Sequence, residues 1–282
     1  ALGARQFCNN GFIQLILQYL SSLFHVINDE NQTIILLLLR ILSNIFSNTD
    51  DGMIEYCFPV LELLFESINE IQNEAIIDPI LMVISNMLNY HQYYNQDYLL
   101  KIASFFIDYL DPTIQPPYSR VLYILHQIIY ISKETIPIII NPTTLPILIG
   151  FTSHSSSKIR IATNLIFISF LKKSEAEYKE IIYDSLSWSW FDGVWKDSQN
   201  ENQQFLIELF YYLIYYNEEL LPTAIDEKII SDIFDSFENS PFSLRLTIVQ
   251  NIIPAENNAE IDKKEVESIE SKNENVINNS ES

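Results

Sequence analysis

The chain has 282 residues, of which 48% are hydrophobic, and its 37 acidic against 16 basic side chains give a formal net charge of -21. This much apolar surface can bury a core, which excludes disorder of the whole chain. Only five glycines are present, too few for the tight turns of a many-stranded sheet. A nucleic-acid-binding protein needs clustered Lys and Arg, so the charge excludes that class and favours protein partners.

A repeat of about 42 residues organises most of the sequence. Each unit has an apolar helical segment, a short polar hinge and a second, longer apolar helix. The hinges are rich in Asn, Asp, Ser and Pro, which cap or begin helices. The first helix of each successive unit is expected to end at Ile27, Ile68, Leu110, Thr152, Trp195 and Phe237.

The pattern predicts an all-α fold, a right-handed superhelical solenoid of about six armadillo-like (ARM/HEAT) repeats over residues 1–254. One predicted pair is Phe58–Ile68 followed by Glu74–Leu88. The alternative is an irregular helical bundle. Residues 255–282 have no aromatic side chain and a net charge of -5, so we expect an acidic disordered tail there.

The strings RILSNIF at 40–46 and MVISNML at 82–88 resemble the end of the third helix of armadillo repeats, where Leu-Ser-Asn recurs. Within that family the sequence is most similar to importin alpha (karyopherin alpha). The chain opens without Met and in the middle of the pattern, so we expect the C-terminal portion of a longer protein. The resemblance implies an adaptor in nucleocytoplasmic protein import that binds extended basic peptides, present in the cytoplasm and the nucleus.

In importin alpha the Asn of each Ser-Asn pair hydrogen-bonds the backbone of the bound peptide. The expected peptide-binding groove here comprises Arg40, Ser43, Asn44, Met82, Ser85, Asn86, Tyr123, Gln127 and Tyr130. Importin alpha has a Trp four residues before the Asn, whereas this chain has Arg40 and Met82, and an arginine would repel a basic peptide. The alternative is a purely structural role, in which the Asn44 and Asn86 side chains cross-link adjacent helices.

The expected partners are proteins or peptides, basic ones because the residues before the tail keep a net charge of -16, which is -21 less the tail's -5. The resemblance adds a transport receptor at the C-terminal repeat. We expect no nucleic-acid or membrane partner. The alternative function is a generic armadillo/HEAT scaffold or regulatory subunit in signalling or cytoskeletal assembly, without nuclear-signal binding.

No pattern in the sequence indicates catalysis. The four histidines are scattered without a Cys or carboxylate at metal-ligand spacing, and no nucleophile elbow, phosphate-binding loop or zinc-protease motif occurs. We therefore expect no enzyme activity, no cofactor and no metal site.

Overall fold

The computed structural model describes residues 11–47, 54–71, 73–89, 94, 96–110, 118–197 and 200–217, with isolated positions between 219 and 233. The regular structure in these ranges is helical. No single helix among them is long and apolar enough to cross a membrane. The chain divides into two compact units, Ala1–Glu180 and Ile181–Ser282.

The first unit is a succession of helix pairs joined by short hinges. Its helices are α1 (Phe12–Phe24), α2 (Asp29–Ser47), α3 (Ile54–Glu70), α4 (Glu74–Leu88), α5 (Gln96–Asp108), α6 (Tyr118–Ile131), α7 (Ile136–Ile139), α8 (Thr144–Phe151) and α9 (Ser157–Lys173). We call α1, α3, α5 and α8 the first helices of their pairs, and α2, α4, α6 and α9 the second helices.

Polar hinge residues set where the second helices begin. The Asn28 side chain accepts a hydrogen bond from the backbone N–H of Asn31 at 2.9 Å, at the start of α2. Asn73 does the same for the N–H of Ala75 at 3.0 Å, at the start of α4. These bonds satisfy backbone donors that have no partner inside the helix. The sequence-predicted span Glu74–Leu88 is the observed span of α4.

Stacking of successive pairs builds the core of the first unit. The second helices pack in chain order, α2 on α4, α4 on α6 and α6 on α9, and α1 also packs on α3. Large aromatic side chains are fully buried between them, including Phe46, Phe106 and Phe167. Burying one such side chain contributes about 1.5–3 kcal/mol. Each pair is therefore stabilised mainly by its neighbours in the stack, as in other repeat proteins.

The second unit contains α11 (Trp188–Lys196) and α12 (Asn200–Tyr215), while α10 (Ala176–Ser185) spans the boundary between the units. Aromatic packing holds α11 to α12. The Trp188 and Phe191 rings lie 5.7 Å and 5.4 Å from the Phe210 ring, measured between centroids. Ser187 caps α11 by accepting a hydrogen bond from the Trp190 N–H at 3.2 Å. The aromatic cluster in this segment serves as core.

Two sequence predictions fall outside the described residues. The end of the first helix of the sixth unit, expected at Phe237, and the acidic tail at 255–282 both lie there. The proposed boundary between solenoid and tail therefore stays a prediction.

Candidate functional site

Side-chain hydrogen bonds join each second helix to the next, beginning between α2 and α4. The Nδ2 of Asn86 donates to the Ser43 Oγ at 2.9 Å and to the Ser43 backbone carbonyl at 3.1 Å. Ser43 is only 4% exposed, so its polar atoms depend on a protein partner. Losing such a partner costs more than an exposed hydrogen bond contributes.

Gln127 forms the corresponding connection between α4 and α6. Its Oε1 accepts from the Ser85 hydroxyl at 2.9 Å, and its Nε2 donates to the Ser85 carbonyl and to the Asn89 Oδ1, both at 3.2 Å. Ser85 is 5% exposed. One glutamine therefore satisfies three polar groups of the preceding helix.

His126 connects α6 to α9. Its Nδ1 lies 3.1 Å from the Leu165 carbonyl oxygen and 2.9 Å from the Ser169 Oγ. A carbonyl can only accept, so the bond to Leu165 requires the hydrogen on Nδ1. Ser169 is 3% exposed. All three junctions between second helices thus contain a nearly buried serine and a longer polar side chain from the facing helix.

A second set of contacts supports the same register between repeats. Asn73 donates to Gln32 at 3.1 Å, and the guanidinium of Arg120 donates to the two carboxylate oxygens of Asp78 at 2.7 and 3.4 Å. Past the ends of α6 and α9, Lys133 donates to Glu175 at 2.9 Å, a bond that raises the pKa of Lys133. The partners in both sets lie 38 to 43 residues apart in sequence, one repeat length.

This register aligns side chains of the four second helices in three rows, which we call the ladder face; all of them except Ser169 are exposed or half-buried. The first row is Arg40, Met82, Tyr123 and Leu165; the second is Asn44, Asn86, Gln127 and Ser169; the third is Ser47, Asn89, Tyr130 and Lys172. Members of the second row lie one helical turn after those of the first.

All nine sequence-predicted site residues lie on α2, α4 and α6, but their exposure differs. Arg40, Asn44, Tyr123 and Tyr130 are exposed, Met82, Asn86 and Gln127 are half-buried, and Ser43 and Ser85 are buried. The two serines face the neighbouring second helix. Their expected contact with a peptide, like that of the other seven, stays a prediction.

Sequence reasoning missed three side chains in the hydrogen bonds between second helices, those of His126, Ser169 and Asn89. The sequence did contain a signal for one of them, because Ser169 follows Ser85 by two repeat lengths, as Ser85 follows Ser43 by one. His126 carried no such signal, since neither adjacent repeat has a histidine at the matching position.

The charges of the second helices differ from those of the whole chain. Asp29, Glu30 and Glu74 lie in the first turns of α2 and α4, where the helix dipole favours negative charge. Beyond those turns Asp78 is the one carboxylate in these four helices, which the structure describes throughout. Helices α6 and α9 contain no acidic residue at all. These four helices therefore contribute little to the chain's negative charge beyond their first turns.

Cationic side chains are present along the same helices: Arg40, Arg120, Lys158, Arg160, Lys172 and Lys173. Arg160 donates to the carbonyls of His154 and Ser155 at 2.7 and 3.0 Å, which fixes the turn before α9. Lys173 lies over the Tyr130 ring, 4.7 Å from its centroid, a favourable cation–π contact. Among the described residues, no cluster of three or more His, Cys, Asp or Glu side chains could hold a metal ion.

Comparison with known proteins identifies the fold but no relative in sequence. No family model matches the sequence, and no curated protein matches it. A designed armadillo repeat protein for modular peptide recognition superposes with a TM-score of 0.61 at 15% identity, covering 85% of this chain and 97% of that one. The fold is armadillo-like.

Two further solved structures agree. A designed armadillo repeat protein in complex with the peptide (KR)4 has a TM-score of 0.62 at 14% identity, covering 84% of this chain and 98% of that one. An engineered protein has a TM-score of 0.65 at 14% identity, covering 84% and 96%. The predicted all-α solenoid class is confirmed, and so is the armadillo-like repeat within the suspected resemblance.

Proposed function

We propose that this protein is a non-enzymatic binding scaffold that holds an extended peptide along the ladder face. The observation that carries the proposal is the recurrence, on three consecutive second helices, of an amide one turn after a long side chain. These pairs are Arg40 with Asn44, Met82 with Asn86, and Tyr123 with Gln127. The armadillo-like fold supports it, because designed proteins of that fold recognise peptides.

Amide side chains suit the peptide backbone because each offers a donor and an acceptor. Asn44 is exposed on α2. The Asn86 Nδ2 is used on Ser43, which orients the amide and leaves Oδ1 as an acceptor for a peptide N–H. The structural cross-link and the binding role are therefore compatible in one residue.

The spacing of the helices determines how long the peptide would be. Packed helices lie about 8–10 Å apart, and an extended chain rises about 3.3 Å per residue. Each helix then matches two to three peptide residues. The ladder face from α2 to α9 would accommodate a peptide of roughly eight to ten residues.

The test is selection of ten-residue peptides from a displayed library, followed by measurement of their affinities. We expect enriched peptides to lose at least about tenfold in affinity for Asn44→Ala/Asn86→Ala, the loss of one or two hydrogen bonds. Asn69→Ala is the matched control, because Asn69 is exposed on the first helix α3, where it accepts from Tyr109. Failure to enrich any peptide, or equal binding by the double variant, would contradict the proposal.

A narrower candidate is an importin-alpha-like adaptor that binds basic peptides in nuclear import and a transport receptor at its C-terminal repeat, in the cytoplasm and nucleus. The net charge of -21 and the (KR)4 complex of a structural neighbour favour it. Its test is binding of (KR)4 at physiological salt to the wild type and to the same double variant. Affinity weaker than micromolar, or affinity that ignores the substitutions, would count against it.

A further inference from the structure

We propose that the ladder face from α2 to α9 selects a peptide with acidic side chains, Asp or Glu, next to Arg40. This inference rests on the proposed function, since it names the ligand class of the same surface. It differs from the basic ligand expected from the sequence. Past their first turns, the four second helices that the structure describes carry a single acidic side chain, Asp78.

The described second helices offer no unpaired carboxylate past their first turns. Past the first turns of the four second helices the one acidic side chain is Asp78, and Arg120 donates to both its oxygens. The other carboxylates of α2, Asp29 and Glu30, precede Arg40 by eleven and ten residues, or about 15–16 Å along the helix axis. A lysine or arginine of a bound peptide would therefore find no unpaired carboxylate past the first turns of these four described helices.

Arg40 is the cation on α2 that a bound peptide would meet. It is exposed, and none of the hydrogen bonds or ion pairs between described residues involves it, in contrast to Arg120. Its five donors form a planar fork that matches a carboxylate in bidentate geometry. A peptide held against the ladder face would bring its side chains directly onto this guanidinium.

Asn44 lies four residues after Arg40 and hence on the same side of α2. An amide that binds the peptide backbone and a guanidinium one turn away can contact one peptide residue and its side chain together. The corresponding pair on α4 is Met82 with Asn86, so the preference for an acid is specific to the α2 position.

Helix α9, at the far end of the ladder face, also carries exposed cations. Lys158 is exposed near the start of the helix and Lys172 near its end, and the helix has no acidic residue. Positive charge therefore flanks the ladder face at α2 and at α9. At physiological ionic strength charges are screened beyond about 8 Å, so these local cations determine the preference more than the distant net charge does.

The experiment uses the full chain and three labelled ten-residue peptides at physiological salt. Every second residue is Glu, Gln or Lys, because alternate side chains of an extended chain point to the same side, and the remaining residues are identical. Fluorescence anisotropy gives the affinities. We expect the Glu peptide to bind about tenfold more tightly than the Gln peptide, as one charge-assisted bidentate contact provides.

Arg40→Gln should remove most of the Glu peptide's advantage over the Gln peptide. Lys101→Gln is the matched control, since Lys101 is an exposed cation on the first helix α5, and it should leave that advantage unchanged. Equal binding of the Glu and Gln peptides, or tighter binding of the Lys peptide, overturns the inference while the scaffold proposal stands. Absence of binding by all three peptides and by library-selected peptides contradicts both.

Discussion

The helices α2 and α4 have apolar residues at corresponding positions, but the two helices differ in what covers those residues. Ile76 on α4 is fully buried against α2, whereas Ile34, at the matching position on α2, is 46% exposed. Ile41 is 37% exposed, while Val83 on α4 is fully buried. Matching apolar positions are therefore buried on α4, which packs on α2, and partly exposed on α2.

The geometry of α2 explains which side is uncovered. At 3.6 residues per turn, Ile34 and Ile41 lie on the side of the helix opposite Ser43 and Gln32, the two residues that bond to α4. Later repeats cover the equivalent side completely, as at Ile124 on α6 and Ile166 on α9. The apolar side chains Ile34, Leu37 and Ile41 on this side of α2 are thus partly exposed, whereas the positions matching Ile41 on the later second helices are buried.

Matched truncations at the two isoleucines should give the largest contrast. Ile76→Ala removes fully buried methyl groups and leaves a cavity, so we expect a loss of about 3 kcal/mol in the free energy of unfolding. Ile34→Ala should cost less than about 1 kcal/mol, because that side chain is already half in water. Urea unfolding followed by circular dichroism measures both. Equal losses would mean that another element covers α2.

Breaking a buried polar junction should have an intermediate effect. Gln127→Ala removes three hydrogen bonds and leaves Ser85 without this partner, which we expect to cost about 1–3 kcal/mol of unfolding free energy. Asn89→Ala, the control, removes one exposed acceptor of the same network and should cost less than about 1 kcal/mol. The same unfolding measurement tests the pair, and a larger effect at Asn89 would reject the buried junction as the source of stability.

The ion pair between Asp78 and Arg120 should contribute less than the buried junction. Its side chains are 46% and 31% exposed, so water screens the attraction and the coupling energy should be about 0.5–1 kcal/mol. A double-mutant cycle with Asp78→Asn and Arg120→Gln measures it. The coupling should fall as salt rises from 0.1 to about 1 M, where the Debye length is roughly 3 Å. A salt-independent coupling would contradict this assignment.

The smallest effect on stability should come from the open side of α2. Leu37 is 56% exposed, so Leu37→Gln should change the free energy of unfolding by no more than about 0.5 kcal/mol. Binding of an apolar dye to the folded protein should decrease, because part of the exposed apolar side is removed. Val83→Gln, on the covered side of α4, serves as the destabilising reference. A clear loss of stability for Leu37→Gln would show that α2 is covered in solution.

Sequence periodicity predicted the helix pairs well, because apolar spacing and hinge chemistry act locally. The predicted span of α4, Glu74–Leu88, is the observed span, and Asn73 caps the helix. The roles of Ser43, Ser85 and Asn86 were harder to predict, because a side chain's direction depends on how adjacent repeats are rotated. Asn86 illustrates this, since the sequence left open whether it bridges helices, and the structure shows that it bonds to Ser43.

The distribution of charge over the sides of the second helices could not be predicted from the sequence either. A net charge of -21 states how many acids the chain has but not which side of a helix they occupy. Composition favoured an acidic binding surface, whereas α6 and α9 carry no acidic side chain and α9 carries four basic ones. The hydrogen bonds between repeats define the register, and the register determines which side of each second helix its charges occupy.

The uniform separation of these bonds has a consequence for the kinetics of folding. Each joins residues 38 to 43 positions apart, from Gln32 with Asn73 to Lys133 with Glu175. The loop that must close before such a contact forms is therefore equally long everywhere in the first unit, and its entropic cost does not grow along the chain. Folding can start at any junction and spread to its neighbours, with a rate governed by the repeat length and not by the length of the protein.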